Sequence, residues 1–361
     1  MGYCFNFDNA ADTPVCPEAR QALLEALSLR NPSSLHAAGR AARACLEESR
    51  DVLREALGCE RLVFTSGGTE SVNLALRGAA ETHGNRKKHI VTTTLEHPAT
   101  VNTLSALKAR GFTVSEVPPR SNGRAHPADI ASAVTGDTFL VTVIQVAGET
   151  GSLQDVSALA ALLRERTGEP PILHVDAVQG FLKYPLHLQK SGVDLMSVSG
   201  HKVHAPAGVG ALAASSRVRL AAQHTGGSQE EGLRGGTEPL PLIAAFAAAV
   251  KAWTPIDPRL TPTAVRWLQD AGWTVIPAHD APIVAAANPS RIPGEAFLRM
   301  LSDKGVLVGT GSACSRGKRS KALASMRLPP EVADSVIRLS FSRLTTMAEL
   351  AEGLGIITGV I

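Results

Sequence analysis

No apolar stretch in this 361-residue chain reaches the ~20 residues that a membrane-crossing helix needs. The opening MGYCFNFDNAADTP has neither the charged start nor the apolar centre of a secretory signal. A cytoplasmic location without membrane contact is therefore expected. Basic residues form no block beyond a few positions and the formal charge is only +3, which argues against nucleic acid as a direct partner. Cysteine is scarce: Cys4, Cys16, Cys45, Cys59 and Cys314, an odd number with no pair at metal-ligand spacing. That speaks for a reducing compartment and against a structural zinc; no metal site is expected. Cys45 shares a helical face with Ser49, Val52, Leu53 and Ala56, a packing position. No internal repeat or low-complexity tract is visible.

What is present is a globular composition, 44% hydrophobic and 19% charged, in a chain too long for one ordinary core. Short β-rich runs at 89–94, 112–117, 139–146, 172–177, 194–199 and 209–214 alternate with helical patterns such as 97–110 and 155–167. Alternation of this kind predicts an α/β fold, with a mainly parallel sheet covered by helices and ligands gathered at the carboxyl ends of its strands. Three prolines in "WTPIDPRLTP" (253–262) break a helix that begins near Pro241 and mark a boundary. Beyond it a smaller α+β lobe is predicted, with strands near 273–276, 282–287, 306–308 and 337–341. Its last helix starts at Thr346, with Glu349 at capping-box spacing.

Five stretches suggest chemistry. In "FTSGGTESVNLAL" (64–76) a strand runs through glycines into a helix, either a plain capped turn or an anion site made of bare N–H groups. In "ILHVDAVQG" (172–180) Asp176 ends a strand; it could cap a helix, or hold a proton on a heterocyclic nitrogen. In "SVSGHKVHAPAGVG" (197–210) Lys202 either snorkels from a strand end or forms a Schiff base, with Ser199 and His201 placed to donate to a phosphate. In "TLEHPAT" (94–100) His97 either opens a helix or stacks on an aromatic cofactor. In "VLVGTGSACSRGKRSK" (306–321) Arg316, Lys318, Arg319 and Lys321 surround Cys314, an environment that favours the reactive thiolate over a buried structural thiol. Pyridoxal phosphate needs an anion site, an acid for its ring nitrogen and a Schiff-base lysine, and would use the first three together.

These stretches also resemble a known family. "FDNAADTP", "NPSSLHAAGR", "FTSGGTES", "LEHPAT", "HVDAVQG", "VDLMSVSGHK", "GGSQEEGLRGGTEP", "GTGSACS" and "IRLSFSRLTT" run from residue 7 to 346 and look like a cysteine desulfurase of the class V aminotransferase superfamily, in the branch serving iron–sulfur clusters. The resemblance implies a fold-type I pyridoxal-phosphate transferase. Its large cofactor-binding domain would span 15–252 on a mainly parallel seven-stranded sheet, and its small domain 1–14 and 253–361, carrying the Cys314 loop. Lys202 would make the covalent cofactor link, Asp176 would pair with the pyridine nitrogen and Gln179 with the phenolic oxygen. His97 would stack on the ring and move protons; Gly68, Thr69, Ser199 and His201 would hold the phosphate. Thr237 would reach the cofactor phosphate of a neighbouring subunit, implying a homodimer. Arg338 would clamp the substrate carboxylate, with Asn9 nearby in the substrate site. L-Cysteine would leave as alanine, its sulfur carried as a persulfide on Cys314 to a protein acceptor serving iron–sulfur clusters, tRNA thiolation or another sulfur use.

The chain departs from that pattern at several places. "QVAGETG" (145–151) has Ala147 and Gly148 where an Asn-Asn-Glu run is usual, a lost substrate contact of about 1–2 kcal/mol. Ser228 replaces a glycine, Pro239 stands where asparagine is common, and the segments after Cys314 and around 253–262 look short. These changes keep alternatives in view: a selenocysteine lyase or cysteine β-lyase, or a weakly active cofactor-binding scaffold.

Overall fold

The structure is a computed structural model and describes residues 5–165, 169–310 and 321–360. Its strands, in chain order, are β1 (Phe5–Phe7), β2 (Arg61–Thr65), β3 (His89–Thr93), β4 (Thr113–Val117), β5 (Thr138–Ile144), β6 (Ile172–Asp176), β7 (Leu195–Ser199), β8 (Gly210–Ala214), β9 (Thr274–Val275), β10 (Ile283–Ala287), β11 (Val306–Thr310) and β12 (Val336–Ser340). Seven of them form one sheet in the order β2-β8-β7-β6-β5-β3-β4. From β7 to β4 every neighbouring pair is parallel, and β8 runs antiparallel to both β7 and β2. The central strands read as unbroken apolar runs because helices cover both faces, so neither side chain set meets water. On β2, Leu62 and Phe64 enter one apolar cluster and Val63, pointing the other way, enters the second.

The other five strands form a sheet in the order β1-β11-β12-β10-β9 around a separate core that includes Phe7, Leu260, Leu268, Trp273, Phe297 and Phe341. The sequence did not announce β1. It is three residues long and pairs in parallel with β11, Phe5 against Val306 and Phe7 against Val308. The proline-rich boundary also differs in detail. One helix ends at Lys251, Pro255 and Pro258 lie in the connection, and Pro262 sits in the first turn of the next helix, Leu260–Asp270. A proline is tolerated there because its missing N–H has no intrahelical partner.

Helix starts follow local chemistry. Pro98 opens Pro98–Lys108 behind His97, and Asp155 caps Val156–Arg164 through the N–H of Ala158 at 2.9 Å. The helix Met347–Thr358 has the full capping box: Thr346 Oγ1 accepts from Glu349 N at 3.2 Å, and Glu349 Oε2 accepts from Thr346 N at 2.7 Å. Cys45 packs half-buried against the core, as its spacing predicts. Among the described residues, no helix is long and apolar enough to cross a membrane, and no group of His, Cys, Asp or Glu side chains could hold a metal ion.

Candidate active site

A cavity of about 370 Å³ opens where the parallel strands end. The large sheet supplies Glu96 and His97 after β3, Ile144 from β5, Asp176 and Gln179 from the end of β6, and Ser199, His201 and Lys202 from the end of β7. Gly68 and Thr69 close it from the start of a helix, while Ala10, Ala11, Thr310 and Arg338 face it from the second sheet. A larger crevice of about 500 Å³ lies at the opposite ends of the strands, lined by Leu163, Leu173, Asp194 and Arg217. There Arg217 holds Asp194 at 2.6 and 2.7 Å.

One end of the cavity is built for an anion. β2 leads through Ser66 and Gly67 into the helix Gly68–His83, whose first N–H groups carry the positive end of the helix dipole. A Cβ at Gly68 would lie 2.6 Å from Val178 Cγ2, so only glycine lets the turn come this close. The Ser199 hydroxyl lies beside the turn and is hydrogen-bonded to His201 Nδ1 at 2.9 Å. Burial, then the charge of Lys202, hold the His201 imidazole down to about 4, leaving it neutral.

The cavity also holds a buried acid. Asp176 is 3% exposed and accepts the N–H of Val178 at 3.0 Å. Burial pushes its carboxyl upward, while His97 and Lys202 pull it back. Two residues earlier on the same strand face, His174 joins Thr142 Oγ1 of β5 at 2.8 Å to Ser197 Oγ of β7 at 3.0 Å. Burial holds that ring down to about 3. His97 Nδ1 accepts the N–H of Ala99 at 3.1 Å, so the proton of the neutral ring sits on Nε2. Burial keeps this histidine, too, below its ordinary value.

Lys202 ends a short 3₁₀ turn, and its Nζ donates to the carbonyls of Ala10 at 2.7 Å and Ala11 at 2.6 Å. Gln179 Nε2 donates to the same Ala10 carbonyl at 2.7 Å, and its Oε1 is buried with no partner. Across the cavity, Arg338 of β12 donates to Asp8 Oδ1 at 2.7 Å and to the Gly148 carbonyl at 3.0 Å, with Nε buried and unpartnered. Gly309, opposite Arg338 in the register, leaves room for the guanidinium; a Cβ there would lie 2.5 Å from Nη2.

Nine of the residues singled out from sequence therefore line one cavity: Gly68, Thr69, His97, Asp176, Gln179, Ser199, His201, Lys202 and Arg338. Asn9 lies off the wall. Its Nδ2 donates to the carbonyls of Asn6 and Ser340, each at 2.9 Å, and so fixes the segment whose next two carbonyls receive Lys202. Thr237 is exposed and also off this wall. Cys314, Arg316, Lys318 and Arg319 lie outside the described residues, but Thr310, which lines the cavity, stands four positions before Cys314. Sequence reasoning missed Glu96 and Asp8. Each reads as an ordinary polar residue near an element end, and only the tertiary fold turns it inward.

Comparison with known proteins agrees with this geometry. Residues 5–352 match the family model described as aminotransferase class-V. A cysteine desulfurase from a Nostoc species is 34% identical over 360 residues, which is 95% of this chain and 89% of that protein. A solved structure titled NifS-like protein superposes with a TM-score of 0.91 at 30% identity, covering 100% of this chain and 99% of that one. A second, titled SspA in complex with cysteine, gives a TM-score of 0.82 at 28% identity, covering 96% of this chain and all of that one. With its two sheets, its strand-end cavity and these relatives, the chain belongs to the class-V aminotransferase family, among the cysteine desulfurases.

Proposed function

We propose that the cavity binds pyridoxal 5′-phosphate and that the enzyme takes sulfur from L-cysteine, leaving alanine and a persulfide on Cys314. One observation carries the reading: a buried carboxylate, Asp176, and an amine, Lys202, face one cavity that also meets the start of the helix Gly68–His83. The residues fit the group. Gly68, Thr69, Ser199 and His201 would hold a phosphate, Asp176 a protonated ring nitrogen, and the unpartnered Gln179 Oε1 marks side-chain capacity not yet used within the chain. The cofactor, when bound, supplies an electron sink for charge developing at the substrate Cα.

This chain's own groups do the rest. Arg338 receives the substrate carboxylate on the N–H groups not taken by Asp8 and Gly148. Lys202 Nζ, which faces the cavity, would take the Cα proton. His97 presents Nε2–H over the site, its ring held by the Ala99 N–H. The Cys314 thiolate attacks the substrate sulfur, the Cβ–S bond breaks, and its electron pair stays with the carbon fragment that is protonated to alanine. The sum is L-cysteine plus thiol giving L-alanine plus persulfide, with no external oxidant or reductant. The four residues from Thr310 to Cys314 span at most about 14 Å, a tether short enough to keep the thiol near the cavity.

The same reading divides the chain into a large domain, 15–252, and a small one, 1–14 with 253–361. The membership of residues 5–7 in the second sheet supports that division. It includes a homodimer in which Thr237 serves the neighbouring site, a protein that accepts the sulfur, and a cytoplasmic location, since persulfide chemistry begins from a reduced thiol. The test is direct. Protein loaded with pyridoxal phosphate and reduced with borohydride should carry the cofactor on Lys202, and L-cysteine should give alanine and a Cys314 persulfide by mass spectrometry. A tag elsewhere sinks the cofactor assignment. Undiminished sulfide release by Cys314→Ala would instead make the enzyme a β-lyase.

A further inference from the structure

Glu96 lines the cavity at 7% exposure, in a place where a second carboxylate is hard to keep ionised. Its Oε1 accepts from Thr93 Oγ1 at 2.6 Å and from the N–H of Ile144 at 2.9 Å, while Oε2 is buried with no partner. Ile144 is the β5 residue in register with Asp176 of β6. Glu96 thus reaches from the end of β3 to the end of β5, against the strand that carries the acid. An ionised carboxylate with one oxygen unsatisfied, beside another carboxylate, is costly; a carboxylic acid with its proton on the open oxygen costs far less.

Two carboxyl groups this close share their titration, and the surroundings decide which keeps the proton. The charged and titratable groups facing this corner are Asp176 from β6, His97 at the head of the next helix and Lys202 after β7. The Lys202 ammonium and the His97 ring favour the charged form of Asp176, whereas Glu96 has no cationic neighbour of this kind: it receives the Thr93 hydroxyl and main chain, the Ile144 N–H and the repulsion of Asp176. Burial, with that repulsion, raises the Glu96 carboxyl to about 8.

We propose that Glu96 is a positioning residue that works as a neutral carboxylic acid. It ties the end of β3 to the end of β5 through Oε1, and its Oε2–H adds no second negative charge beside Asp176. The effect on catalysis rests on the cofactor reading above; the protonation state does not. Glutamine copies the neutral acid in shape and charge, alanine removes the tie, and aspartate is one methylene too short to span it.

The unfolded chain ionises Glu96 near its ordinary 4.5 and the folded chain near 8, so between these values the folded state holds one proton more. Stability from this group is then full below 4.5 and is lost as pH rises towards 8. In melts of the cofactor-free protein, Glu96→Gln should match the wild type near pH 5 and exceed it by about 5 °C or more at pH 8. Loaded with pyridoxal phosphate, Glu96→Gln should keep alanine formation within about threefold. Glu96→Ala and Glu96→Asp should lose about tenfold or more in kcat at an unchanged KM for cysteine. A melting difference that does not vary with pH overturns the proposal, as does a kcat for Glu96→Gln as low as that of Glu96→Ala. If the pH-dependent difference appears but no cofactor links to Lys202, the cofactor reading fails while the neutral acid stands.

Discussion

The two walls of the cavity are made differently. The wall from the large sheet is a set of side chains at consecutive strand ends, three of them held by a near neighbour: His201 by Ser199, Asp176 by Val178, His97 by Ala99. The wall from the second sheet is mostly main chain, the carbonyls of Ala10 and Ala11, with one guanidinium from β12. In the first wall the acid and both histidines are fixed by contacts close in sequence, and Lys202 and Gln179 reach across to the second. The second is assembled by contacts more than 150 positions apart, such as Arg338 with Asp8 and Gly148 and Lys202 with Ala10. Local fixing suits a resident cofactor, and long-range assembly suits a visiting substrate, whose grip can change without disturbing the chemistry behind it. Substitutions on the first wall should therefore lower kcat, and those on the second should alter KM.

Lys202→Ala should give the largest effect, a fall in alanine formation of about a thousandfold or more, with the far-ultraviolet spectrum unchanged. Asp176→Asn, which keeps the shape and removes the charge, should lower kcat by about thirty- to a hundredfold at similar KM, read from steady-state rates. A change confined to KM would break the division between the walls. Arg338→Ala should do the reverse. It removes a charge-assisted pair and bares Asp8 to the incoming carboxylate, so KM for cysteine should rise about tenfold while kcat stays within about threefold. The smallest change sharpens the contrast most. A Cβ at Gly148 would meet Gln179 at 3.5 Å, an ordinary contact, so asparagine fits. Gly148→Asn should lower KM about fivefold by restoring one hydrogen bond, and an unchanged KM would show that Gly148 does not loosen substrate binding.

Much of the first wall can be read from the sequence because its residues follow strands that the sequence marks clearly. Asp176, Lys202 and His97 each stand just after an apolar run and just before a turn or helix, and the parallel sheet aligns those ends. The second wall is harder. β1 has three residues and owes its strand geometry to β11, about 300 positions away. Asn9 sits in a segment whose neighbours touch the site, yet its own amide braces backbone. Neither fact has a local signal. Glu96 is hidden for another reason: in "TLEHPAT" it resembles an acidic residue placed for a helix start, and only the closeness of β3 and β5 draws it inward. The buried ion pair of Arg50 with Glu230, at 2.7 and 2.8 Å, is equally silent. It anchors a turn in which Glu230 and Glu231 both take left-handed backbone angles, a few residues before Thr237.

The link through His174 has a broader consequence. Three strands are bolted side by side just beneath the acid, by a ring that stays uncharged throughout the range in which the enzyme would work. The floor of the pocket therefore shifts as a single plank. Loops above it are free to diverge between descendants, with new visitors and new receivers of sulfur, without tilting the one carboxylate on which the chemistry turns.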